Sequence, residues 1–214
     1  MSAYYELVAL AGFTRARPDY AIDSVEIDGA PVAIEERGVH WTPFCRLLRF
    51  RKTGGEDDPK ILLIAPMSGH FATLLRGTIR TLLRDHQVFI ADWINPRNVK
   101  LEHGGFSLED YTQHIIDFVR FIGEDWQNAV QGRADRPKGD QDNISSDGRG
   151  REGWKDDICA VGQTLAAQDL CSGLKPYMKT HHLQAGVGHY GVFNGRRWDT
   201  QVYPVLRNAI QSSR

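Results

Sequence analysis

The chain has 214 residues, of which 26 are basic, 27 acidic and 41% hydrophobic. That length supports one domain with a sizeable core, and the near-neutral balance argues against a surface built for nucleic acid or an anionic membrane. No run approaches the roughly 18 apolar residues of a membrane span. The start, Met1-Ser-Ala-Tyr-Tyr-Glu-Leu7, lacks a basic region followed by a long apolar stretch. Three cysteines (Cys45, Cys159, Cys171) at no pairing or metal-ligand spacing fit reduced thiols in a cytoplasmic protein.

In chain order, residues 1–20 carry little pattern. Ser24 to Glu36 reads as two short alternating strands around an Asp28-Gly29 turn. A third strand runs from about Thr42 to Lys52, with Phe44, Leu47, Leu48 and Phe50 as a largely apolar edge. Ile61-Leu-Leu-Ile-Ala65 is continuously apolar, the pattern of a parallel strand covered on both faces. It stops at Pro66-Met-Ser-Gly-His70. A helix follows with Leu74, Leu75, Ile79, Leu82 and Leu83 at helical spacing, and Val88-Phe-Ile-Ala91 is the next buried strand. Ser107-Leu-Glu-Asp110 resembles a capping box. It opens a helix whose apolar face is Leu108, Tyr111, Ile115, Phe118, Val119 and Ile122, with Gly123 as its expected stop. Strand, helix, strand, helix at this spacing begins a doubly wound α/β domain.

A further strand is due after Gly123, and the pattern fails there. Trp126 to Lys155 holds six apolar residues against eleven charged and five glycines. So little apolar surface does not offset the ordering entropy, and the segment is expected to be disordered. Pattern resumes with a helix over Gln163–Leu174, a short strand Thr180–Gln184 and a last helix from Asp199 to Ile210.

Four places bear on chemistry. Pro66-Met67-Ser68-Gly69-His70 lies between a buried strand and a helix, where outward backbone N–H groups can stabilise an oxyanion; it also reads as an ordinary turn. Ser68 lacks the Gly-x-Ser-x-Gly frame of a nucleophile elbow. His189, flanked by Gly186, Gly188 and Gly191, is a candidate general base or else a loop histidine bonded to a carbonyl. Asp156-Asp157 can orient that imidazole or form a solvated turn. His181 and His182 point to opposite strand faces, one expected packed and one solvated. With His189 they lack the partners of a zinc site, and no metal or cofactor is expected.

Together these pieces resemble the intracellular polyhydroxybutyrate (polyhydroxyalkanoate) depolymerases of the α/β-hydrolase superfamily. The resemblance rests on two blocks. The first contains Pro43-Phe-Cys-Arg-Leu-Leu48, Ala65-Pro-Met-Ser-Gly-His-Phe-Ala-Thr-Leu-Leu-Arg-Gly77 and Ala91-Asp-Trp-Ile94. The second contains Asp156-Asp-Ile-Cys-Ala-Val-Gly-Gln-Thr164, His181-His-Leu-Gln184 and Gly188-His-Tyr-Gly-Val-Phe193. The resemblance implies hydrolysis of ester bonds in a stored hydroxyalkanoate polymer or its oligomers, possible contact with the granule surface, and a cysteine nucleophile on the elbow after the fifth strand. It places His189 on the catalytic histidine, Asp156 (alternatively Asp157) on the acid, and Ser68, Gly69 and His70 on the oxyanion-binding turn. The nucleophile has no counterpart.

The expectation is therefore an incomplete α/β-hydrolase-like doubly wound sheet, with the elbow strand and lid region missing. Residues 1–125 form the first part of the domain, 126–154 an aberrant junction and 155–214 the last part. The run Ser146-Asp-Gly-Arg-Gly-Arg-Glu-Gly-Trp154 looks like coding sequence read in another frame, so the chain reads as internally truncated. Loss of the missing strand would leave Ile61–Ala65 as an apolar edge open to self-association, and loss of the nucleophile would leave an inactive chain or a remnant that binds granules or a partner.

Overall fold

A computed structural model of the chain describes residues 17–65, 71–130, 149–153, 175 and 179–212. Strand β1 (Ser24–Ile27) turns back into β2 (Ala30–Trp41) through Asp28 and Gly29, at φ 51° and 79°. Two positive φ angles in a two-residue loop match the twist of the flanking strands, which is why Asp-Gly sits there. Strand β3 (Cys45–Lys52) pairs antiparallel with β2 across a register shift between Gly38 and His40. Strand β4 (Lys60–Ile64) leads through the 3-10 turn Ala72–Leu75 and helix α1 (Arg76–Leu82) to β5 (Gln87–Trp93). Strands β4 and β5 are parallel, β5 is antiparallel to β3, and the sheet order is β1-β2-β3-β5-β4. The architecture is α/β, as expected.

Side-chain alternation on β3 and β5 divides the core in two. Leu48, Phe50, Val88 and Ile90 face α1, where Ile79, Leu82 and Leu83 meet them. Cys45, Leu47, Phe89 and Ala91 face the other way, onto Phe118 and Ile122 of α2 (Leu108–Val130). The two central strands are thus covered on both sides. Strand β4 is only half-buried and stands at the sheet's edge, with Ile64 41% exposed.

Helix α2 opens with the reciprocal bonds the sequence suggests. The Ser107 hydroxyl accepts from the Asp110 N–H at 3.2 Å, and the Asp110 carboxylate accepts from the Ser107 N–H at 2.8 Å. The helix runs through Gly123 to Val130. One interior glycine costs about 1 kcal/mol, which packing of Phe118 and Ile122 outweighs. Leu108, expected on the apolar face, is exposed. His114 is half-buried instead, Nδ1 2.8 Å from the Asp110 carbonyl and Nε2 3.1 Å from the Thr42 hydroxyl.

A second sheet pairs β6 (Arg149–Gly153) with β7 (Thr180–Gln184) in parallel. β7 does not pair with β4. The 126–154 segment contributes the end of α2 and all of β6; its other residues, and the helix expected over Gln163–Leu174, lie outside the described residues. After β7 comes the 3-10 turn His189–Val192, a helical turn Gly195–Arg197, a π-turn Trp198–Val202 and helix α3 (Tyr203–Ser212). In the π-turn the Tyr203 N–H bonds to the Trp198 carbonyl, five residues back. That spacing brings Trp198 and Tyr203 together, ring centroids 6.0 Å apart with the planes tilted by 44°. Both enter the core beside Val202.

Candidate active site

The parallel strands β4 and β5 end side by side. The Trp93 indole N–H donates to the Ala65 carbonyl at 3.1 Å, pinning the last described residue before the Pro66–His70 turn. Next to this junction is a cleft of about 240 Å³, walled by Phe71, Trp93 and Ile94 and bordered by Arg17, Arg46 and Asn98. Ligands of open α/β sheets bind outside the carboxyl ends of the strands, and this cleft is at that end of β5.

Beneath it lies a charge cluster the sequence reading did not single out. Asp92 is fully buried; its Oδ2 accepts from Arg46 Nη2 at 2.6 Å and lies 3.5 Å from Arg17 Nε. Burial pushes the Asp92 carboxyl above the usual carboxylate range, opposed by Arg17 and then Arg46. Among the described residues its Oδ1 is buried without a hydrogen-bond partner, as are Arg17 Nη1, Arg46 Nε and the Tyr20 hydroxyl. The Arg17 guanidinium lies over the Tyr20 ring, 5.4 Å from its centroid. Burial, then the Asp92 charge, raises the Tyr20 pKa, so the ring stays a phenol. The only sequence signal was an aspartate ending an apolar strand.

His189 begins the 3-10 turn that follows β7, with Gly188 extended at its N-cap. Gly186 sets the approach: its φ is 74°, and a Cβ there would strike the Arg197 guanidinium. The imidazole is half-buried and meets Tyr190 and Phe193 edge-on, at centroid distances of 5.4 and 5.8 Å. The turn docks on α1, where the Phe193 carbonyl accepts from the Thr78 hydroxyl and Asn194 Oδ1 lies against Gly77. The His189 turn is thus packed on α1, the helix that follows residues 66–70 in the chain.

Of the expected site residues, only His189 is among those described. Ser68, Gly69, His70, Asp156 and Asp157 lie outside, as do Cys159 and Cys171. Cys45 is fully buried at the start of β3, and burial followed by the Asp92 charge drives its thiol well above the ordinary range. A thiol held protonated in the core is no nucleophile. His181 and His182 are both half-buried, rather than one packed and one solvated. His182 Nε2 lies 3.1 Å from Gln184 Oε1.

The arrangement is that of an α/β protein with a cleft at its strand ends and a histidine turn docked on the adjoining helix. Residues 138–214 match the family described as PHB de-polymerase C-terminus, the stretch that contains His189, so the resemblance read from the sequence holds over that part of the chain. Among solved structures, a predicted CIB-like hydrolase from Thermoplasma acidophilum is similar at 11% identity, with 84% of this chain and 97% of that chain covered and a TM-score of 0.45. No curated protein matches the chain. No helix among the described residues is long and apolar enough to cross a membrane.

Proposed function

We propose that the chain descends from carboxylic-ester hydrolases that depolymerise intracellular hydroxyalkanoate storage polymer in the cytoplasm, and that as written it does not turn over. The match of residues 138–214 to the depolymerase C-terminus, with His189 inside it, carries the lineage. In this reading His189 is the general base, Asp156 (or Asp157) orients it, and backbone N–H groups of Ser68, Gly69 and His70 hold the oxyanion. Ester cleavage also needs a nucleophile whose proton the imidazole takes as the acyl carbon is attacked. Cys45, buried and protonated, does not meet that need. Loss of one member of such a unit removes nearly all of its rate.

The test is hydrolysis of p-nitrophenyl butyrate and short 3-hydroxybutyrate oligomers by the purified chain and by His189→Ala. We expect both at the buffer rate. Turnover in the parent that disappears in His189→Ala would overturn the inactivity and direct attention to Ser68 or one of the remaining cysteines. The internal truncation is tested separately by sequencing the transcript between the codons for Gly123 and Lys155: an uninterrupted message overturns a frame-shift origin.

One observation favours a second reading, a non-catalytic remnant bound to a granule, a partner or itself. Strand β4 is an apolar edge with no neighbour on its outer side among the described residues, the kind of edge that pairs with another chain.

A further inference from the structure

His114 makes a hydrogen bond at each ring nitrogen, and the two bonds assign its proton. Nδ1 faces the Asp110 carbonyl at 2.8 Å; a carbonyl only accepts, so Nδ1 carries the hydrogen. Nε2 faces the Thr42 hydroxyl at 3.1 Å. That oxygen has two lone pairs and one proton. The lone pairs are taken by the Cys45 N–H at 2.9 Å and the Phe44 N–H at 3.3 Å. The proton remains, and a neutral Nε2 accepts it. The other acceptor in reach, the Cys45 carbonyl at 3.2 Å, already takes the Thr42 N–H at 2.9 Å. A charged ring presents a second N–H to an oxygen with no lone pair left. Either the ring gives up Thr42, or the turn over 42–45 gives up one of its own bonds.

The bond sits where the turn, α2 and one side of the cleft meet. His114 is half-buried among Phe44, Trp93, Phe106 and Phe118, at centroid distances of 6.2, 6.2, 5.3 and 6.2 Å. Phe106 also packs on Phe44, 4.7 Å away. It ends the loop that starts at the cleft with Ile94, Asn95 and Asn98. Residues 100–105 are exposed, so the loop is held at its two ends. On α2 the titratable neighbours are Asp110, whose carboxyl is held down chiefly by Ser107 and more weakly by His114, and Tyr111. Asp117, one turn on, is engaged by Gln113 and Arg120. From β3 comes Cys45, and burial keeps this thiol and the Tyr111 phenol protonated. On β5, Asp92 is paired with Arg46 and points to the sheet's other face. From β2, His40 lies beyond Phe118, whose ring meets both histidines edge-on. We propose that His114 is an acid-released catch: neutral, it fastens α2 and the loop over 94–107 to the turn over 42–45; charged, it frees that loop at the side of the cleft. The catch depends on neither turnover nor a ligand.

NMR of the ring nitrogens and backbone amides of the full chain, from roughly pH 8 to roughly pH 5, the range of histidine titration, tests it. Melting curves confirm that each variant folds. At the alkaline end His114 is expected to carry its hydrogen on Nδ1. On acidification the amide signals of 42–45 and 95–106 are expected to move together with the ring. His114→Gln, which takes up no proton there, loses that shared movement. Thr42→Val leaves the ring titrating but severs the loop from it, and carries the test if His114→Gln fails to fold. His40→Gln moves as the parent does. A hydrogen on Nε2 at the alkaline end overturns the catch. So does an absence of shared movement in the parent, its persistence in His114→Gln or Thr42→Val, or its loss in His40→Gln.

Discussion

Tyr203 donates its hydroxyl to Asp85 at 2.6 Å and lies 3.4 Å from His86 Nδ1, fastening α3 to the loop after α1. Burial, then the bond to Asp85, raises its pKa, so the proton stays on the ring. Tyr203→Phe should cost about 1–2 kcal/mol, the value of a bond to a charged acceptor discounted for the exposure of Asp85, read as a lower urea midpoint. Asp110 illustrates the opposite direction. The Ser107 N–H, followed by the Ser107 hydroxyl, holds its carboxyl below the usual range. A depressed folded-state pKa gives stability that is present above the unfolded value of about 3.8 and lost as pH falls through the folded value. Protection factors of the amides in the first turn of α2, with the intrinsic exchange rate divided out, should fall on acidification into that range, and Asp110→Asn should remove that fall. Asp92→Ala leaves Arg46 and Arg17 without their carboxylate. Removing one partner of a fully buried pair costs about 3–5 kcal/mol; with both guanidinia partly in water we expect about 2–3 kcal/mol by denaturant unfolding.

Among the elements, β4 carries the sharpest expectation. Its exposed Ile64 sits on the open edge, and Ile64→Lys should suppress concentration-dependent association in light scattering, because a charge on an edge strand blocks pairing. A parent chain that remains monomeric and melts cooperatively would remove the basis for that expectation. The elements themselves were largely legible. Asp28-Gly29 marked the first hairpin and Ser107 and Asp110 the start of α2, because each rests on bonds between near neighbours, and Thr180–Gln184 was legible as a strand from its own residues. Leu108 was misassigned to the buried face and His114 missed, since period alone does not say where a helix first meets the sheet. Nor did composition disclose β6, whose pairing with β7 joins residues some thirty positions apart.

At the scale of the molecule, the C-terminal segment completes a core begun by the N-terminal strands. Trp198, Val202 and Tyr203 pack with Tyr20, Ile22, Phe50 and the buried face of α1, and Asp199 bonds to Thr81 and Arg84. Trp198→Ala should therefore cost about 3–5 kcal/mol, measured as loss of cooperative unfolding at low urea. The same distance in sequence explains what was legible of the site. His189 was found because glycines announce its turn, whereas the Asp92 cluster joins residues 17, 46 and 92 through tertiary contact alone. The π-turn sets a final constraint. In an ordinary α-helix, residues five apart sit about 140° round the axis from one another; here the wider coil brings Trp198 and Tyr203 to the same side. Excising a single codon within Trp198–Val202 would wind that coil tighter and rotate the phenol away from Asp85. This stretch should therefore tolerate changes of side chain far better than any change of length.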